Sequence, residues 1–245
     1  MCVNIKKTLS KICDLSSKKY VISGQLMQLN KMNLFKLNSE LEEFKYIFVA
    51  DNPGENEISS NKPWGEVEYL SNGNTKTNFD NFLKVFLNLS NRDCVLVLNK
   101  SLIGTKATAD LQNDDLKDDS SQKLIADLVT EMLEKYGELT LVLMGWTDYF
   151  EVDDEGIFSL FYKELSQKID KCPGIEKRIC AYPHPSRRQL LTRTEQKAIE
   201  ENGYTSEDQK EDFFKKYGHW QYNNRKPQGT VADFIEQYKK GAKSC

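Results

Sequence analysis

Polar residues suited to hydrogen-bond or acid–base chemistry follow three short apolar runs of the sequence. The first segment carries Asp51 and Asn52, the second ends at Asn99, and the third places His184 between two prolines. A carboxylate can act as a base, an amide offers a donor and an acceptor, and an imidazole can transfer a proton near neutral pH. Each proline fixes its own φ angle and so favours a rigid backbone around His184. These four side chains are therefore candidates for one polar site.

Four nearly continuous apolar runs predict the β-strands that position these residues. The runs span residues 45–51, 93–99, 139–145 and 177–182. A strand that helices cover on both faces shows no alternation of polar and apolar residues. The intervals leave room for crossover helices, which predicts a parallel sheet. Because ligands bind at the carboxyl ends of the strands in open parallel sheets, the polar segments should meet at one edge.

Helical periodicity fills the intervals between the predicted strands. Apolar side chains recur at helical spacing in three stripes, which begin at Phe79, Leu124 and Phe158. Such stripes indicate helices that pack against a sheet. The predicted fold is therefore α/β, with three α/β/α layers around a central four-stranded parallel sheet.

Both ends of the chain are predicted to be helical. Residues 1–40 show weak helical periodicity, and residues 190–245 are polar with a few apolar anchors at helical spacing. The predicted core therefore covers residues 40–190, between an N-terminal helical segment and a C-terminal helical extension. The whole chain, 1–245, is expected to form a single domain.

Composition and charge exclude several classes of protein. The formal net charge of −3 excludes a binder that is basic over its whole surface. No apolar run approaches the roughly 20 residues of a membrane span, and the first residues lack a signal sequence. We therefore expect a cytoplasmic monomer with no membrane partner. The six cysteines lack Cys-x-x-Cys spacing and there are only two histidines, so no metal and no cofactor are expected.

Two of the polar segments form motifs that resemble a known family. The turn Asp51-Asn52-Pro53-Gly54 and the later His184-Pro185-Ser186 resemble the first and last motifs of the uracil-DNA glycosylase superfamily. The strand that ends at Asn99 resembles the base-recognition strand of this family, and residues 142–145 resemble its third strand. The resemblance covers about residues 45–189 and keeps the order of the motifs.

The resemblance implies a uracil-DNA-glycosylase-like fold and a DNA glycosylase activity. Such an enzyme flips uracil, or a related damaged pyrimidine, out of single- or double-stranded DNA. It then hydrolyses the N-glycosidic bond of that base, which is the first step of base-excision repair. No lysine occupies a motif position, so a monofunctional enzyme that forms no Schiff base is expected.

By the same resemblance, three residues have catalytic roles. Asn52 matches a position that contacts the attacking water, and Asp51 stands where another branch carries a catalytic glutamate. His184 would donate a hydrogen bond to the base O2 and so stabilise the departing anion. The alternatives are that Asn52 and Asp51 only shape the turn, and that His184 is a structural loop residue.

Four residues are implied to bind the base. Asn99 would pair its amide with uracil O4 and N3–H, a pattern that cytosine reverses. An aromatic ring would stack on the base, and Trp64 in the Lys62-Pro63-Trp64-Gly65 segment is favoured over Phe79, whose stripe also fits core packing. Gly54 stands where the uracil-restricted branch has a tyrosine that excludes the thymine methyl, so a broader range of bases is implied.

The residues after the last motif are implied to bind DNA. Ser186, Arg187, Arg188 and Gln189 resemble a loop that grips the phosphate backbone and wedges into the gap. Residues 171–197 carry seven basic and two acidic side chains, in contrast to the net acidic chain. Phosphate binding requires such a local basic patch. The alternative is a solvated and mildly basic loop.

The sequence also departs from the family, and two other hypotheses stay open. Ala50 replaces the usual glycine, and Glu55 and Glu57 add negative charge near the predicted DNA-binding edge. These acidic residues favour a catalytically inactive module of the same fold that binds nucleic acid or a protein partner. The remaining hypothesis is an unrelated α/β enzyme with a flavodoxin-like sheet.

Overall fold

The structure is a computed structural model. The described residues are 8, 19–22, 25–28, 44–52, 70, 73–90, 92, 94–101, 120–145, 156–185, 193–224 and 230–242.

Two short strands lie in the N-terminal region that the sequence predicts to be weakly helical. Strand β1 (Lys19–Ile22) pairs antiparallel with β2 (Gln25–Gln28), and Ile22 is the partner of Gln25. The helical prediction is therefore wrong for these eight residues. The first strand contains aromatic and β-branched residues, and only Ser23-Gly24 separates it from the second strand. Two short runs joined by two such residues favour a β-hairpin.

The central sheet has four parallel strands, as the sequence predicts. They are β3 (Tyr46–Ala50), β4 (Val95–Asn99), β5 (Thr140–Met144) and β6 (Ile179–Tyr182). Their order in the sheet is β4-β3-β5-β6, and every neighbouring pair is parallel. Each strand lies inside its predicted run. Its side chains are buried between two helical layers, which is why the run is almost continuously apolar.

Six helices of the described chain surround this sheet. They are α1 (Gly73–Leu87), α2 (Ser120–Lys135), α3 (Ser159–Ile169), α4 (Arg193–Glu201), α5 (Glu207–Asn224) and α6 (Val231–Ala242), with a 3₁₀ turn at Glu176–Arg178 before β6. Alternate strand residues face opposite layers. Ile47 and Val49 join the core formed with α2 and α3, whereas Tyr46 and Phe48 join the core formed with α1, α5 and α6. The fold is therefore a three-layer α/β/α sandwich.

The chain crosses from one side of β3 to the other as it winds through the sheet. Helix α1 leads from β3 to β4 on one face, and α2 then leads from β4 to β5 on the opposite face. Strands β3 and β5 are therefore neighbours whose outgoing connections run in opposite directions. Such a topological switch point opens a crevice at the carboxyl ends of the two strands. Flavodoxin-like sheets share this strand order, so the order alone does not decide between the two fold families.

The C-terminal helices are confirmed, but α5 belongs to the core instead of extending it. The ring of Phe214 stacks on Tyr182 with centroids 5.1 Å apart, and the Tyr182 hydroxyl donates to the Phe214 carbonyl at 2.9 Å. A Cβ on Gly218 would lie 2.6 Å from the Cβ of Cys180 and 2.7 Å from Cε2 of Tyr182. Only glycine allows the helix to approach β6 this closely.

Gly218→Ala is expected to lower the free energy of unfolding by about 1–3 kcal/mol, because the new methyl group has no room beside β6. The sign is informative, since a glycine-to-alanine change inside a helix otherwise stabilises by about 1 kcal/mol. Urea denaturation followed by circular dichroism measures the change. Gly137→Ala, in the turn after α2, is the control for an added methyl group that has room, since no described atom lies within 4 Å of its Cβ position. Unchanged or higher stability of Gly218→Ala would contradict this close approach.

Candidate functional site

Of the five candidate residues that the structure describes, all but Phe79 lie at the same edge of the sheet. Asp51 and Asn52 directly follow β3, Asn99 is the last residue of β4, and His184 follows β6 by two residues. All four strands are parallel, so their carboxyl ends point to one edge. The outer strands β4 and β6 are three strand spacings apart, or about 14 Å. A ligand that touches both Asn99 and His184 must therefore extend across the switch point.

The Asn99 side chain brings an amide into the interior of the fold. Its side chain is almost fully buried, and Nδ2 has no hydrogen-bond partner within the described part of the chain. The alternate β4 residues Val95 and Val97 belong to the core on the α1 side, so Asn99 faces that side as well. Buried amide hydrogens are rarely left unpaired, because the lost hydrogen bond with water costs about 1–3 kcal/mol. The amide is therefore a candidate donor to a ligand.

Lys100 is a buried cation at the same edge, and it belongs to none of the sequence motifs. Its side chain is fully buried, and Nζ lies 2.6 Å from Oδ1 of Asp51 and 2.7 Å from the carbonyl oxygen of Met144. Nζ is also 4.9 Å from the ring centroid of Phe158 and 5.3 Å from that of Tyr162. The ammonium thus joins the ends of β3, β4 and β5.

The electrostatics of this pair keep the lysine charged. Burial by itself would lower the pKa of Lys100, but the Asp51 carboxylate outweighs it and the net shift is upward. Burial raises the pKa of the neighbouring Tyr162 hydroxyl, so that group stays protonated. The result is an ammonium–carboxylate ion pair enclosed by two aromatic rings.

Gly145 closes the other side of the Asp51 carboxylate. It has a φ of +75°, which side chains other than glycine rarely adopt, and a Cβ at this position would lie 2.8 Å from Cγ of Asp51. The carboxylate is therefore held between the Lys100 ammonium and the backbone at the end of β5. Because Lys100 contacts rings of the α3 layer, the Asp51 carboxylate and the Asn99 amide face opposite sides of the sheet.

The turn that carries His184 is tied to helix α1. The Asn78 side chain donates from Nδ2 to the carbonyl oxygen of Pro185 at 2.9 Å. Helix α1 spans the sheet on this face, since the Phe82 ring contacts both Phe48 of β3 and Tyr182 of β6. His184 itself is half-buried. The hydrogen bond places the turn after β6 on the same face as Asn99.

Phe79 lies in the core of the α1 layer. Its side chain is fully buried, its ring is 5.0 Å from that of Phe48 in an edge-to-face contact, and the guanidinium of Arg92 lies 4.9 Å from its centroid. The core position that the sequence allows for Phe79 is the one it occupies in this structure. Stacking on a base would require the ring to give up these contacts.

The other candidate residues lie outside the described part of the chain. They are Gly54, Trp64, Ser186, Arg187, Arg188 and Gln189. Their implied roles in base stacking, base selection and phosphate binding stay predictions.

A metal site is not evident in the described ranges. No three side chains of His, Cys, Asp or Glu come together there in a way that could hold an ion. Among the described helices, none is both long and apolar enough to cross a membrane.

Comparison with known proteins gives no assignment. A scan against protein-family models finds no match. A search of curated proteins also finds no matching sequence.

Proposed function

We propose that this chain is a monofunctional DNA glycosylase that hydrolyses the N-glycosidic bond of uracil or a related damaged pyrimidine. The observation that carries the proposal is the buried Asn99 amide, whose Nδ2 has no partner among the described residues. Carbonyl O4 of uracil offers the acceptor that this donor lacks, and the amide oxygen can accept from N3–H. Cytosine has an amino group in place of O4, so it would meet the donor with a donor.

Two further residues fit the bond-breaking step. His184 lies on the same face as Asn99, where a hydrogen bond to the base O2 would stabilise the negative charge that the leaving base acquires. Asn52 follows Asp51 at the end of the central strand β3, between the other two. Its amide would orient the attacking water. Because the sugar is electron-poor when the bond breaks, a correctly placed water matters more for the reaction than a strong base.

The state of Lys100 supports a reaction without a covalent intermediate. A Schiff base requires a neutral amine, whereas the Asp51 carboxylate keeps Lys100 as an ammonium. We therefore expect no covalent protein–DNA complex when the protein reacts with uracil-containing DNA in the presence of borohydride. Denaturing gel electrophoresis detects such complexes, and a lyase run alongside provides the positive control. A trapped complex that disappears in Lys100→Met would contradict the monofunctional assignment.

Release of base from defined oligonucleotides tests the proposal. Labelled strands with one uracil are incubated single-stranded, opposite guanine and opposite adenine, and hot alkali reveals abasic sites. Wild-type protein is expected to generate them, and Asn52→Ala is expected to generate few. Asn81→Ala, at an exposed position within α1, is the control for the amide change. If folded wild-type protein releases neither uracil nor any damaged pyrimidine, the enzymatic proposal fails.

The enclosure of Asp51 favours a second candidate, a module of the same fold that binds DNA without cutting it. A carboxylate held between Lys100 and the backbone of Gly145 has limited access to a nucleophilic water. This candidate predicts DNA binding with no base release. A salt titration shows whether the binding is electrostatic, because phosphate contacts weaken steeply as salt is added.

A further inference from the structure

We propose that Lys100 is the positioning residue of the site, and that Asp51 acts through it rather than on the substrate. The inference rests on the proposed function and adds a residue that none of the sequence motifs contains. The Lys100 ammonium contacts the Asp51 carboxylate from β3 and the Met144 carbonyl from β5 while its own backbone continues β4. One buried group thus sets the relative positions of three strand ends.

The residues proposed for chemistry are covalent neighbours of this link. Asn52 follows Asp51, and Asn99 precedes Lys100. The backbone ties the same segments together, since the Lys100 amide donates to the Ala50 carbonyl at 2.8 Å and the Ser101 amide donates to the Asp51 carbonyl at 3.3 Å. Without the Lys100 side-chain link, only backbone hydrogen bonds would hold the segments that carry Asn52 and Asn99 together.

The faces of the sheet separate positioning from contact. The Lys100–Asp51 pair lies on the α3 side, packed against Phe158 and Tyr162. Asn99 faces the α1 side, where Asn78 also holds the turn that carries His184. A base bound by Asn99 is then on the opposite face from the Asp51 carboxylate. The carboxylate influences the reaction through the strand ends that the pair holds in place.

A double-mutant cycle in rate and stability tests this inference. Asp51→Asn, Lys100→Met and the double variant are compared with wild-type protein for single-turnover uracil release and for thermal stability. Each broken pair is expected to slow release by about 100-fold, the cost of a misplacement on the order of 1 Å. If the two residues act as one unit, the double variant loses no more rate than either single variant. Its stability should recover towards wild type while its rate does not, which a purely structural role would not produce.

Two results would overturn the inference. One is a double variant that releases uracil at the wild-type rate. The other is a set of losses that multiply, which would assign Asp51 a separate contact with the substrate. If Lys100→Met fails to fold, the release rates of Asp51→Asn and the double variant are compared. Equal rates support one unit, and a slower double variant indicates separate contributions. Lys168→Met removes a lysine from a partly exposed ion pair with Asp127 and is the control for loss of a lysine.

Hydrogen exchange separates this inference from the proposed function. If wild-type protein releases no base, the glycosylase proposal fails on its own. The role of Lys100 is then decided by the rate of amide exchange at the strand ends. Loss of the link should speed exchange at the amides of Lys100 and Ser101 in the folded double variant. Unchanged protection of both amides would overturn the positioning role whatever the activity.

Discussion

Lys100→Met is expected to lower the free energy of unfolding by about 3–5 kcal/mol, because it leaves the Asp51 carboxylate buried without its counter-charge. The lysine is fully buried, and its ion pair with Asp51 has an N–O distance of 2.6 Å. Equilibrium denaturation in urea measures the loss. Adding Asp51→Asn removes the stranded charge, so the double variant should recover most of the stability.

The ion pair between Lys168 of α3 and Asp127 of α2 provides the comparison for the loss of a lysine. Lys168 lies 3.0 Å from Asp127, and about a third of each side chain is exposed. Lys168→Met is expected to cost clearly less than Lys100→Met, since solvent partly screens a pair of which about a third is exposed. Equal losses for Lys168→Met and Lys100→Met would show that the buried pair has no special part in stability.

His184→Ala is expected to slow uracil release by about 10²–10³-fold, the usual effect of removing one preorganised donor to a developing negative charge. Its fold should survive, because His184 is only half-buried and follows the last strand of the sheet. Single-turnover release from a uracil-containing oligonucleotide measures the rate, and circular dichroism checks the fold.

The second histidine of the chain is a matched control for this change. His219 lies in α5, where its Nδ1 is 3.2 Å from the carbonyl of Ile179 at the start of β6. It is therefore at the end of the sheet opposite to the candidate site. His219→Ala should release uracil at close to the wild-type rate. The proposed role of His184 is wrong if both histidine variants retain full activity.

The sequence predicted the central sheet well because its signals are local. Nearly continuous apolar runs such as residues 93–99 become strands when helices cover both faces, and β4 lies inside this run. The hairpin at 19–28 was missed because weak helical periodicity outweighed a short β-branched run. The place of α5 in the core was missed because the close approach at Gly218 is a contact between distant parts of the chain.

The candidate site was predictable only in part, for a similar reason. Strand ends and parallel connections were enough to place Asn99 and His184 at one edge. Lys100 was missed because lysines are almost always solvated, so composition suggests a surface residue. Its pairing with Asp51 depends on the register that sets Ala50 opposite Asn99. Asp51 and Lys100 are opposite charges that directly follow two strands paired in this register. This pattern is the signal that predicts the ion pair.

The most direct test of the central claim is the release of uracil compared with cytosine by wild-type protein and Asn99→Ala. If the buried Asn99 amide recognises the base, wild-type protein releases uracil and leaves cytosine in place. Asn99→Ala should then lose at least about 10²-fold in the rate of uracil release, as expected for a site that leaves a polar substrate group unpaired. Wild-type protein that releases neither uracil nor a damaged pyrimidine would contradict the account. So would an Asn99→Ala variant that releases uracil as fast as wild type.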